Sequence, residues 1–104
     1  ISLRASADIV AYSDARLKKN VIKIDNALEK VKQLRGVTYE RIDLNGDKRQ
    51  MGLIAQEVEK VAPEVVNIDE TGTYSLAYSN LVGLLVEAIK DQQKQIDELK
   101  NKIG

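Results

Sequence analysis

A seven-residue apolar repeat near the end of this sequence constrains its fold more than any other feature. Val82, Leu85, Ile89, Gln92, Ile96, Leu99 and Ile103 follow one another in alternating steps of three and four. That spacing puts them on one stripe of an α-helix, with Val or Ile at each a position and mostly Leu at d. Gln93, Lys94, Gln95, Lys100 and Lys102 occupy e, f and g positions and give the helix a solvated outer face. Up to about Ala88, the residues Leu81, Leu84 and Val86 make the helix apolar nearly all round, which suits packing on its own domain. Beyond Lys90 only the narrow stripe stays apolar. It is too thin for a globular flank and predicts a self-associating coiled coil, with the helix running over about 79–103. Ile at a with Leu at d by itself favours two strands, but a polar layer such as Gln92 can reset register or strand number.

The rest of the chain must supply a core from little material. Its 104 residues make one small domain, and its only aromatic residues are four Tyr. Chains of this size bury only roughly 60–70% of their unfolded surface, so association is expected to contribute part of the stability. Residues 1–12 alternate apolar and polar loosely through Ile1, Leu3, Ala5, Ala7 and Ile9, which reads as a weak strand. Residues 13–20 carry Asp14, Arg16, Lys18 and Lys19 and read as a polar connector. A helix is expected from about Asn26 to Arg35, with Asn26 and Glu29 as a capping box and Gly36 as its C-terminal cap. Val37 and Tyr39 suit a strand, Asn45-Gly46 a hairpin turn, and Lys48 to Leu53 the return. Ile54, Val58 and Val61 make a second helix that must end before Pro63. Val65, Val66 and Ile68 then face Tyr74 and Leu76 across a Glu70-Thr71-Gly72 turn. The fold class is therefore α+β and mainly helical: short helices and small β-hairpins, closed by a long helix that forms a coiled-coil bundle.

Charge and residue types narrow the chemistry. Sixteen basic and sixteen acidic residues cancel, which argues against non-specific nucleic-acid binding and against a polybasic membrane anchor. No apolar run approaches a membrane span, and no signal peptide is visible. The chain has neither Cys nor His, so disulfides, Cys/His zinc sites and His-dependent triads are excluded. Glu57, Glu59 and Glu64 read as a charged solvated helix face rather than a metal cluster. Asp43, Asn45 and Asp47 resemble the start of a calcium loop, but the glutamate needed at its twelfth position falls on Ile54. Gly52-Leu53-Ile54-Ala55 lacks the Lys-Ser/Thr ending of a phosphate loop. No metal and no cofactor is expected.

Acid–base chemistry is left to Ser, Thr, Lys and carboxylates. Ser13 and Lys18 are five positions apart and converge only if the chain turns between them. A lysine can act as base for a serine when it is held neutral, but the spacing alone is common and also fits a solvated linker. Asp14 has several readings: it orients the loop, pairs with Arg16, or caps a turn.

The stretch Ser13-Asp14-Ala15-Arg16-Leu17-Lys18-Lys19-Asn20-Val21 resembles the opening of the chaperone-of-endosialidase family, also called the peptidase S74 or intramolecular chaperone auto-processing domain. The resemblance continues through Tyr39, Gly52-Leu53-Ile54-Ala55-Gln56-Glu57-Val58-Glu59, Pro63 with Val65 and Val66, and Tyr78-Ser79-Asn80-Leu81, and covers about residues 13–100. It implies a C-terminal domain of a phage tailspike, tail fibre or neck appendage. Such domains are homotrimeric around a helical bundle, help an upstream passenger fibre in the same chain to trimerise and fold, and then release themselves. By that resemblance the cut falls between Tyr12 and Ser13, with Ser13 the nucleophile and Lys18 its base, once per chain and in cis. Residues 1–12 become the end of the passenger and 13–104 the chaperone domain. The seam Val82, Leu85, Ile89, Gln92, Ile96, Leu99 and Ile103 becomes the trimer axis. The implied setting is the host cytoplasm during virion assembly, with the cut domain absent from the mature virion. The alternative is a trimerisation module without catalysis; a third reading, a DNA-binding helical module, is disfavoured by the zero net charge.

Overall fold

The computed structural model describes residues 4–44 and 48–104. A 3-10 turn (Ala15–Leu17) precedes α1 (Ala27–Lys32), and β1 (Val37–Tyr39) pairs with β2 (Gln50–Gly52). Next come α2 (Ala55–Glu59), a 3-10 turn (Pro63–Val65), and β3 (Val66–Ile68) paired with β4 (Tyr74–Leu76). A last 3-10 turn (Tyr78–Asn80) opens α3 (Leu81–Ile103). The α+β class is as expected, with a long final helix and two small antiparallel hairpins.

Both hairpins form in the expected places but are short, three residues on each side. Val37 faces Gly52 and Tyr39 faces Gln50 in the first, and Val66 faces Leu76 and Ile68 faces Tyr74 in the second. The expected Asn45-Gly46 turn lies outside the described residues. The second turn is held by Asp69, whose Oδ1 accepts the backbone N–H groups of Thr71 and Thr73 and the Thr71 hydroxyl. Gly72 sits there at φ 83, a conformation that costs a glycine little.

The core is small. Ala27, Val58, Ala62, Val65, Leu81, Leu84 and Ala88 are buried, and Leu28, Val31, Leu34, Leu53, Val61, Val66 and Leu76 flank them. Ala27 and Ala88 keep side-chain volume low where α1 lies on α3, which lets the two helices approach closely. Tyr78 ties the first hairpin to the start of α3: its hydroxyl accepts the Leu53 N–H at 3.0 Å and donates to the Leu53 carbonyl at 3.4 Å. A Cβ on Gly52 would lie 2.5 Å from that hydroxyl, so a glycine is needed for the tyrosine to reach. Arg35 clamps both Glu57 oxygens, its Nη2 at 2.9 Å from Oε2, and so joins the chain after α1 to α2.

Two expectations fail for identifiable reasons, and the weak strand expected over residues 1–12 has no partner among the described residues of the single chain. The capping box at Asn26 and Glu29 does not form. Asn26 is left-handed at φ 51 and its side chain makes no cap bond. Instead Asp91, 63 residues further on, accepts the Leu28 N–H through Oδ2 at 3.3 Å. Gly36 is not the C-terminal cap: α1 stops at Lys32, and the N–H of the right-handed Gln33 bonds the Lys30 and Val31 carbonyls. Residues 4–12 form no strand, because a strand needs a neighbour to satisfy its backbone and the single chain offers none there.

Residues 4–26 form an exposed arm. It is anchored late, by Lys23 at 3.5 Å from Glu87 and by Ile24 packed beside Gly83. The arm and α3 spread the chain to a radius of gyration of 17.5 Å, against about 13 Å for a compact chain of this length.

Asp91→Ala leaves the first turn of α1 uncapped. A cap of this kind contributes about 1 kcal/mol, so the melting midpoint should fall by several degrees at fixed protein concentration. An unchanged midpoint would show that the bond adds nothing to stability.

Candidate functional site

One 3-10 turn builds the site. Asp14 and Lys18 both have extended backbones, and between them the Leu17 N–H bonds the Asp14 carbonyl at 3.0 Å and the Lys18 N–H the Ala15 carbonyl at 3.2 Å. Straight backbone would put positions 13 and 18 roughly 16 Å apart. The turn instead folds Lys18 back so that Nζ donates to Ser13 Oγ at 2.8 Å. The convergence that spacing left open is therefore realised. Tyr12, Ser13 and Lys18 are all exposed in the single chain. Among the described residues, Ser13 Oγ and Lys18 Nζ have only each other as side-chain hydrogen-bond partners.

Asp14 resolves its own ambiguity. Its Oδ1 accepts the Arg16 backbone N–H at 2.9 Å, the N-terminal cap of the turn. The same carboxylate takes the Arg16 guanidinium in a bidentate grip, with Nη2 at 2.8 Å from Oδ2. Capping and pairing are thus both served by one side chain. The guanidinium first, and the backbone N–H second, hold the Asp14 carboxyl below its ordinary value, and Arg16 is raised in return.

The second candidate site is the seam on α3. Leu81, Leu84, Ala88 and Asp91 turn toward α1 and the core. The stripe residues point elsewhere: Val82, Leu85, Ile89, Ile96, Leu99 and Ile103 are 42% to 86% exposed, and Gln92 is exposed among them. Val86, expected to pack inward, is also exposed. The apolar seam is therefore exposed along the whole helix, the stretch before Lys90 included, while Leu81, Leu84 and Ala88 pack on the domain as expected.

The other carboxylates are committed elsewhere or apart. Glu57 is held by Arg35, which keeps its carboxyl below the ordinary value. Asp43 pairs with Arg41, while Asn45 and Asp47 lie outside the described residues. Among the described residues no three acidic side chains are placed to hold a metal ion, and no helix is long and apolar enough to cross a membrane.

Sequence reasoning missed Asp91 and the Tyr78–Gly52 contact. Neither has a local signal, since each acts on a segment 25 or more residues away.

Comparison with known proteins gives a consistent picture. The family described as chaperone of endosialidase, peptidase S74, matches residues 13–67, starting at the serine of the pair. The chain is 37% identical over 102 residues to the long tail fiber protein Gp37 of Enterobacteria phage Ox2, covering 90% of this chain and 41% of that protein. It is 38% identical over 103 residues to the long tail fiber protein Gp37 of Enterobacteria phage K3, covering 92% of this chain and 8% of that protein. A Salmonella phage S16 protein of the same name is 36% identical over 106 residues, covering 92% of this chain and 14% of its own. The chain thus spans about two fifths of the first of these relatives and a seventh or less of the other two.

The Asp14 geometry has a direct readout. On the Ser13→Ala chain, the Asp14 carboxyl should titrate by NMR below its ordinary 3.8, and Arg16→Gln should move it back up. Because the folded value is depressed, the turn gains stability from this group above pH ~4 and loses it as pH falls through the folded value. A midpoint at or above the ordinary value would contradict the clamp.

Proposed function

This chain belongs to the chaperone-of-endosialidase family, and from that premise we propose that it is an intramolecular chaperone for a phage fibre that cuts itself free between Tyr12 and Ser13. Residues 1–12 are then the end of the passenger and 13–104 the chaperone. The observation that carries the reading is the 2.8 Å contact between Lys18 Nζ and Ser13 Oγ, made on the residue that supplies the nitrogen of the bond to be cut.

The chemistry follows from that placement. A neutral Lys18 amine takes the proton of Ser13 Oγ, and the oxygen attacks the carbonyl carbon of Tyr12. The Tyr12–Ser13 C–N bond breaks, and the departing nitrogen is the serine's own, which takes up the proton. The product is an ester between Tyr12 and the Ser13 side chain. One water opens it, leaving a Tyr12 carboxylate and a new amino terminus at Ser13. The reaction needs no cofactor and occurs once per chain.

An ammonium on Lys18 donates to Ser13 and cannot accept its proton. Removing water from the amine disfavours the charged form, and assembly is the means proposed here. The exposed stripe on α3 supplies the drive: three copies meeting on it form the bundle and bring the arms of neighbouring copies together. The small core agrees with a chain that gains stability by association.

The same order of events suits the passenger. Long-range β assembly is slow and prone to misregister. A trimer that forms first holds three passenger ends at high effective concentration. Its later removal leaves a fibre whose durability is kinetic.

The test is the intact mass of the 104-residue chain, read beside its mass in solution. A fragment beginning at Ser13 should appear. Ser13→Ala should abolish it and keep the oligomer, and Lys18→Ala should slow it by roughly 10²–10⁴-fold. If Ser13→Ala is still cut at the same bond, the nucleophile is wrong. If the wild-type chain associates but is never cut, the chain is a trimerisation module without catalysis.

A further inference from the structure

The proposed cut requires Lys18 to lose a proton, yet Asp14 stands on the same turn, beside the serine that Lys18 touches. A free carboxylate at that place would favour the charged amine and hold the reaction back. We infer that Arg16 is a positioning residue for the cut: its bidentate grip on Asp14 lets that carboxylate cap the turn without holding Lys18 in its charged form. The inference rests on the reading of Ser13 and Lys18 as nucleophile and base.

The geometry separates two demands on one side chain. Capping uses Asp14 Oδ1 on the Arg16 backbone N–H, and the cap closes the turn that brings Lys18 back to Ser13. The guanidinium then covers both oxygens, with Nε within 3.3 Å of each and Nη2 on Oδ2. The pair presents no net charge to Lys18. The charged groups on Lys18's own segment are Asp14, Arg16 and Lys19. No other element of the described chain makes a hydrogen bond or ion pair with Lys18 or Lys19. Removing the guanidinium therefore leaves the Asp14 charge unpaired on the turn that Lys18 closes. Asp14 is held low by the same contact, so it stays ionised wherever a lysine can be neutral.

The test is the pH dependence of self-cleavage. The 104-residue chain is made by cell-free synthesis, captured in denaturant, diluted into buffers from about pH 6 to about pH 10, quenched, and weighed intact. Arg16→Gln should move the rising limb upward by on the order of one pH unit, about tenfold in rate at a fixed pH on the limb. Asp14→Asn, which keeps a capping oxygen but no charge, should move it downward. The double variant Asp14→Asn with Arg16→Gln should return the limb toward the wild-type position, a rescue that a merely structural role would not give. A limb left in place by Arg16→Gln, or a double variant no better than Arg16→Gln alone, overturns the inference; so does loss of cutting at all pH values in both. Failure of the underlying reading looks different. Lys18→Ala cutting at the wild-type rate removes the base itself, whereas Lys18→Ala inactive beside an unmoved Arg16→Gln limb removes only the role given to Arg16.

Discussion

Helix α3 has to satisfy two apolar faces with one body. Leu81, Leu84 and Ala88 close the small core against α1 and the hairpins, while the stripe from Val82 to Ile103 is left in solvent. Exposed singly, such residues are ordinary; a continuous stripe of them along 23 residues of helix is a surface that association would bury. Much else hangs on this helix. Asp91 caps α1 from it, Glu87 and Gly83 receive the arm, and Tyr78 at its start pins the first hairpin. An assembly formed on the stripe would therefore fix the place where the arm, and with it Ser13, leaves the body.

The arm shows how little local structure the proposed cis-acting site would require. A substrate in the same chain needs no pocket, because its effective concentration is set by the covalent link. What it needs is a reversal that brings residue 18 to residue 13, and one 3-10 turn with an aspartate cap provides it. The exposed setting of Ser13 and Lys18 in the single chain leaves their solvation to be set by neighbours. That gives the proposed chemistry a natural point of control.

The parts visible in the sequence are those governed by short-range pattern. The stripe on α3 follows from spacing, the stop before Pro63 from a missing N–H, and the second hairpin from the Glu70-Thr71-Gly72 turn. The site was visible through its motif, since Ser13 and Lys18 carry no special spacing without the family resemblance. What local pattern could not supply is tertiary. Asn26 has the form of a cap, but the cap is an aspartate from another helix. Gly36 has the form of a stop, but the helix has already ended at Lys32. Residues 4–12 alternate like a strand, but alternation without a neighbouring strand leaves the backbone to water.

The most direct test of the account separates the chain by mass before asking whether it is cut. Newly made 104-residue chain is fractionated into single copies and assemblies, and each fraction is weighed intact over time, beside a chain whose stripe is broken by Ile89→Lys and Ile96→Asp. A three-copy fraction should yield the fragment starting at Ser13, and single copies, wild-type or broken, should stay whole. Single copies that cut themselves as fast as the assembly would contradict this.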